Sequence, residues 1–179
     1  MSVCLQEQKT EGNERAKVIR VCFVCTGNTC RSPMASAVAN AIAKKYEKTL
    51  LEKGLPTIEA MSAGLYASDG EPISVYAREA LETAGVAPVP SRDYRKHTAH
   101  TVSESDVQAS DLLIGLGGGH CMELLMRFPQ AAQKIIGMPT PISDPYGGDL
   151  AVYRECLGQI AEGVRRLLFS SLEDDGGGR

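Results

Sequence analysis

The chain has no apolar run approaching the roughly 20 residues that a membrane-spanning helix requires. Its amino end, MSVCLQEQKTEGNERAK, is polar and mixed in charge where a secretory signal would be apolar. It also lacks an excess of either charge. Nineteen basic against 22 acidic side chains leave a formal net charge of -3, so there is no broad field for nucleic acid, and an anionic ligand must be met by local donors. Internal repeats and long low-complexity tracts are absent. So is G-x-x-x-x-G-K-[ST], which disfavours a Walker-type nucleotide site. His97, His100 and His120 have no further cysteine or carboxylate at ligand spacing, so neither a metal nor another cofactor is expected.

What is there is 179 residues, 43% hydrophobic and 23% charged, the composition of one soluble globular domain. Without an export signal, the six cysteines favour a reducing, cytoplasmic setting in which they are packed, catalytic or redox-responsive. Residues 1–17 lack hydrophobic periodicity and read as a flexible extension, and residues 171–179 as a frayed tail. The domain is therefore expected over residues 18–170.

Within it, VIRVCFV (residues 18–24) is a β-branched, nearly continuous apolar run, the pattern of a strand covered on both faces. A helix follows with Pro33 in its first turn and Met34, Val38, Ala41 and Ile42 at helical spacing. TIEAMSAG (residues 57–64) is a second strand. Pro72 opens a second helix with Ile73, Tyr76, Ala77, Ala80, Leu81 and Ala84 on its apolar face, stopped by Gly85. Ser103 and Asp106 form a capping pattern before a short helix, and DLLIGL (residues 111–116) is a third buried strand. HCMELLMRF continues as helix, KIIGM supplies a fourth strand, and Asp149 caps a last helix with Tyr153, Leu157, Ile160, Val164 and Leu168 on one face. The βαβαβαβα order implies an α/β fold: a single-domain, doubly wound parallel sheet with ligands beyond the carboxyl ends of its strands.

The loop after the first strand, CTGNTCRS, sits at that mouth. Gly27 allows a tight turn and Asn28 tolerates the left-handed region. A loop curled in this way at a helix start points successive amides inward and makes a cradle for a tetrahedral oxyanion. Arg31 adds a bidentate fork. Cys25 at the rim is favoured as thiolate, the nucleophilic form, and Ser32 can donate to its sulfur. Such a nucleophile needs a carboxyl group to protonate the leaving group and then to deprotonate water, and Asp144 in ISDPYGG stands on a suitable loop. Asp149 is more simply a cap. GLGGGH fails the dinucleotide pattern at His120, so Gly115 and its neighbours are expected to form a close-approach loop.

CTGNTCRSPMA, SAG at residues 62–64, HTAHTVSESDV and DPYGGD together resemble the low-molecular-weight protein phosphatase family over residues 18–168. The resemblance implies a four-stranded parallel sheet of the phosphotyrosine protein phosphatase I-like kind, with helices on both faces. It implies a phosphocysteine on Cys25, phosphate binding by Arg31 and the loop residues Thr26, Gly27, Asn28, Thr29, Cys30 and Ser32, and Asp144 as general acid. Ser62 and His97 would hold Asn28, and Cys30 could trap an oxidised Cys25 as a reversible disulfide. Cys22, Cys121 and Cys156 read as packing residues.

Thr29 stands where tyrosine phosphatases of the family usually carry a large aliphatic residue, and Tyr146 is followed by Gly147 and Gly148 instead of a second aromatic. That pattern is similar to the protein-arginine phosphatase branch. A small polar wall suits a hydrated guanidinium and an attacking water, and an apolar wall suits a phenyl ring. Tyr146 can stack on either, so phosphotyrosine is the alternative. Arsenate reductases share the fold but need a mid-chain cysteine pair, and none lies between Cys30 and Cys121. A non-catalytic phosphoprotein-binding module would lose the nucleophile or the acid. The expected partner is a phosphorylated protein, without nucleic acid or membrane, and the expected state is a monomer or weak dimer.

Overall fold

A computed structural model describes residues 17–172. The expectations for residues 1–16 and 173–179 lie outside the described residues. Strand β1 (Val18–Cys25) is followed by α1 (Arg31–Lys45), α2 (Glu47–Glu52), β2 (Thr57–Gly64) and α3 (Val75–Thr83). After these come α4 (Glu104–Ala109), β3 (Leu112–Gly115), α5 (Gly118–Arg127), β4 (Ile135–Gly137) and α6 (Leu150–Leu168). The four strands form one sheet in the order β2-β1-β3-β4. Every pairing is parallel, with Cys25 opposite Gly64 and Val24 opposite Gly115 at the carboxyl edge.

Alternation along β1 divides the core into two layers. Val21, Phe23 and Cys25 face one cluster with Met34 and Val38 of α1, Leu81 of α3 and Ile160 and Val164 of α6. Cys22 and Val24 face the other, with Val107 of α4, Leu124 of α5 and Phe128. Because both faces are covered, β1 reads as a continuous apolar run. Each large apolar side chain buried fully in it contributes about 1.5–3 kcal/mol.

Two elements differ from the sequence reading. The second helix begins at Val75, not Pro72, because the Ser74 hydroxyl accepts from the Ala77 amide and caps it. Pro72 instead bridges Thr98 in an extended segment. The added helix α2 buries only Leu50 and had no separate apolar period to announce it. The other caps agree with the reading: Ser103 and Asp106 form a reciprocal capping box, and Asp149 accepts from the Val152 amide.

Strand β2 is an edge, and α1 protects it. Buried Asn40 donates to the Ala60 carbonyl at 2.9 Å and accepts from the Ala60 amide at 2.9 Å. Asn40→Leu strips both partners and should lower unfolding stability by about 2–4 kcal/mol, measured by urea denaturation. A change within experimental error would show that the edge is satisfied otherwise.

Candidate active site in the loop after the first strand

The chain leaves β1 toward β2 on one side and later reaches β3 on the other, so the loops after β1 and β3 diverge over a crevice at the switch point. The cysteine loop fills one side of that crevice. Its shape follows from where its carbonyls go. Cys25 O accepts from Leu65 N, Thr26 O from Tyr66 N, Thr29 O from Ser74 N and Cys30 O from Met34 N, at 2.8–3.2 Å. Asn28 O accepts from the His97 ring at 2.7 Å. With the carbonyls directed outward, the amides of residues 26–30 have no backbone acceptor among the described residues. A run of inward amides ahead of a 15-residue helix is an anion cradle.

The turn is made at Asn28, the one described non-glycine residue at positive φ (+56°). That agrees with the left-handed tolerance read for Asn28, but Gly27, expected to share in the turn, has no positive φ, and a Cβ there would meet only Thr29 Oγ1 at 3.8 Å. The obligatory glycine is Gly64. A Cβ on it would lie 2.8 Å from Thr26 O and 3.1 Å from Asn28 Cβ.

Asn28 is fully buried and fully paired. Its side-chain amide donates to Ser32 Oγ at 2.9 Å and Ser62 Oγ at 3.0 Å, and its oxygen accepts from His100 N at 3.1 Å. Ser32 Oγ lies 3.0 Å from Cys25 Sγ and 3.3 Å from Ala63 O. The hydroxyl has one proton, and Asn28 already occupies an acceptor position on it. A thiolate can only accept, so it draws that proton to sulfur. His97 must donate from Nε2, since a carbonyl only accepts, and burial holds the imidazole below its ordinary value.

Arg31, with its side chain 9% exposed, meets Asp144 Oδ2 at 2.6 Å. This pair brings the loop before α6 onto the mouth. Asp144 Oδ1 also accepts from Tyr146 N at 3.2 Å, Gly147 supplies a positive φ (+79°), and Gly148 packs against Val152. Tyr146 is 83% exposed, so its ring stands off the cysteine loop.

Other site neighbours gave no local signal. Cys30 Sγ lies 3.2 Å from Tyr153 OH, 3.5 Å from Ser74 Oγ and 3.6 Å from Thr29 Oγ1. Burial and the Cys30 contact push the Tyr153 phenol up to about 12. Tyr153 was legible as a core position and Ser74 was not singled out, and nothing in the sequence joins either to Cys30. Thr26 Oγ1 lies 3.1 Å from His120 Nε2. Among the described residues, no three histidine, cysteine or acidic side chains are grouped to hold a metal ion.

The model of a family described as low molecular weight phosphotyrosine protein phosphatase matches residues 20–176. A protein-arginine-phosphatase of Geobacillus stearothermophilus is 32% identical over 155 residues, covering 83% of this chain and 93% of the relative. A probable low molecular weight protein-tyrosine-phosphatase of Ralstonia solanacearum is 30% identical over 148 residues, covering 80% and 90%. The crystal structure of a low molecular weight protein tyrosine phosphatase from T. tengcongensis matches with a TM-score of 0.74 at 33% identity, covering 85% of this chain and 99% of that one.

Asn28→Ala unpairs two serines and an amide and leaves a residue with a Cβ in the left-handed region. It should cost about 2–4 kcal/mol of stability and weaken inorganic phosphate binding, read by calorimetry. Full retention of both would remove Asn28 from the support of the loop. His97 gives a pH dependence. Its folded value lies below the unfolded one of 6.5, so its contribution is complete above pH 6.5 and declines as pH falls through the folded value. Thermal midpoints should therefore fall more steeply between pH 6.5 and 5 in the wild type than in His97→Gln. Parallel curves would contradict this.

Proposed function

This chain belongs to the low molecular weight phosphotyrosine protein phosphatase family, and from that premise we propose that it removes phosphate from phosphoarginine in proteins through a phosphocysteine on Cys25. The observation that carries the mechanism is the Ser32 hydroxyl 3.0 Å from Cys25 Sγ, inside a loop whose carbonyls are tied outward. The incoming phosphate dianion competes with Asp144 for Arg31. Freed from Arg31, the Asp144 carboxylate takes up a proton from solvent at the mouth and delivers it to the leaving group as the sulfur–phosphorus bond forms. The bond from phosphorus to the substrate's nitrogen breaks, and that nitrogen keeps the electron pair and the proton. Asp144, now a carboxylate, takes a proton from water as its oxygen attacks phosphorus, and Cys25 departs as thiolate. The cradle amides and Arg31 stabilise the equatorial oxygens throughout.

Thr29 supports the choice of phosphoarginine. It is half-buried beside Cys30, and its small polar side chain leaves room for a guanidinium and its water. The Geobacillus relative is named for phosphoarginine and the Ralstonia relative for phosphotyrosine, so this one wall is the position to test. We further place the protein in the cytoplasm as a monomer or weak dimer acting on phosphorylated proteins, with no role for nucleic acid or membrane. Among the described residues, no helix is long and apolar enough to cross a membrane. Cys30, with four residues between it and Cys25, is the resolving partner if Cys25 is oxidised.

Cys25→Ser should abolish turnover while retaining oxyanion binding. Phosphate release from phosphoarginine and phosphotyrosine peptides should favour phosphoarginine in the wild type, and Thr29→Ile should shift the kcat/KM ratio toward phosphotyrosine by about tenfold or more. Unchanged turnover in Cys25→Ser would sink the mechanism. A wild-type preference for phosphotyrosine would sink the substrate assignment alone.

A further inference from the structure

His120 takes no part in the steps above, yet it stands in the first turn of α5, facing the cysteine loop across the switch-point crevice. Its Nε2 lies 3.1 Å from Thr26 Oγ1. Its Nδ1 is the one buried side-chain nitrogen or oxygen among the described residues that has no hydrogen-bond partner. The ring is held there by close approach to glycine backbone. A Cβ on Gly117 would lie 3.4 Å from Nδ1, and a Cβ on Gly115 would lie 3.3 Å from His120 Cβ and 2.5 Å from Cys121 Sγ.

This environment selects a tautomer. A proton on Nδ1 would be an orphaned buried N–H, which is rarer in folded proteins than an under-used acceptor. A proton on Nε2 has Thr26 Oγ1 to receive it. A second proton is opposed by burial and by the Arg31 cation. Asp144, the other charged group facing the ring, acts in the opposite direction and is the smallest of the three influences. The tautomer in turn fixes the sign of what Thr26 offers. If Thr26 donated to His120, its lone pairs would face an incoming oxyanion and repel it. If Thr26 accepts from His120, its own proton is free, and its carbonyl is already tied to Tyr66 N at 2.9 Å, so the residue is anchored with its exposed hydroxyl at the mouth.

We propose that His120, as the Nε2–H tautomer, is a positioning residue that donates to Thr26 Oγ1 and turns the Thr26 hydroxyl proton toward the phosphoryl oxygens held over Cys25. Thr26 then adds a side-chain donor to those of the amides and Arg31, and His120 acts only through it. This rests on the phosphatase reading above.

The test combines kinetics with a measurement that needs no turnover. Thr26→Val and His120→Ala should each lower kcat/KM by about tenfold, the worth of one hydrogen bond to a charged oxygen. The double variant should be no worse than either single one. His120→Gln places an amide N–H near the Nε2 position and should recover most of the loss. Affinity for inorganic phosphate should fall in the same variants, and nitrogen NMR of the labelled wild type should show Nε2 protonated and Nδ1 bare. An Nδ1–H tautomer, multiplying effects in the double variant, or His120→Gln no better than His120→Ala at equal thermal midpoint would each overturn the proposal. A wild type that releases no phosphate from either peptide would overturn the phosphatase reading instead, and the tautomer and phosphate affinity would still decide the role of His120.

Discussion

The site depends on one buried asparagine held in the left-handed region. That region costs most residues with a Cβ about 1–2 kcal/mol and asparagine less, and Asn28 is kept there by Ser32, Ser62, His97 and the His100 amide. These partners come from α1, from β2 and from the segment before α4. The strained turn is thus over-determined by elements far apart in sequence, which is how such strain persists at functional sites. Its result is directional: with φ reversed at one residue, the carbonyls of Cys25, Thr26, Asn28, Thr29 and Cys30 are tied to the surrounding protein, while the amides of residues 26–30 have no backbone acceptor among the described residues.

The sheet is built to deliver those partners. Pairing Cys25 with Gly64 brings the end of β2 against the loop, and only a residue without Cβ allows the approach. The same Gly64 passes its amide to His100 O and accepts from Val102 N, so the segment carrying His97 and His100 is stitched to the strand that touches the loop. On the other side of β1, Gly115 lets α5 sit close enough for His120 to reach Thr26. Glycines at the carboxyl edges of β2 and β3 therefore set how tightly the crevice closes around the cradle.

Much of this was legible in the sequence, and the reason differs by element. The strands announced themselves because burial on both faces makes β1 and β3 continuous apolar runs. The caps at Ser103 and Asp149 were local chemistry, readable within four residues. Cys25, Asn28, Arg31 and Ser32 lie in one short loop, so their meeting needed only a curl. Asp144 was reached from the chemistry that a thiol nucleophile requires, and its 2.6 Å contact with Arg31 spans 113 positions that no periodicity encodes. Gly64 was quoted within SAG, but its steric duty depends on which loop lies beside it. His120, Tyr153 and Ser74 could not be assigned to the site, because each reaches the cysteine loop from an element whose own pattern speaks only of helix. Gly27 shows the opposite error: of the two residues read as making the turn, only Asn28 takes a positive φ.

The distribution of cysteines shows why position in this loop counts for more than burial. Cys22 and Cys25 are both buried, at 0% and 2% exposure, three residues apart on one strand but on opposite faces. Cys22 meets the apolar layer, and desolvation drives its thiol far above the ordinary value. Cys156 is pushed up to about 12, first by burial, and Cys121 is raised for the same reason. In such surroundings a thiol is inert packing. Cys25 loses as much contact with water, but it gains Ser32 Oγ at 3.0 Å and a row of inward amides. Such donors can offer an anion the solvation that water would otherwise give it. A fixed dipole array of this kind does not have to reorganise when charge develops in front of it. The contacts that hold Asn28 in its turn are therefore also the contacts that set the surroundings of Cys25 apart from those of its buried neighbours.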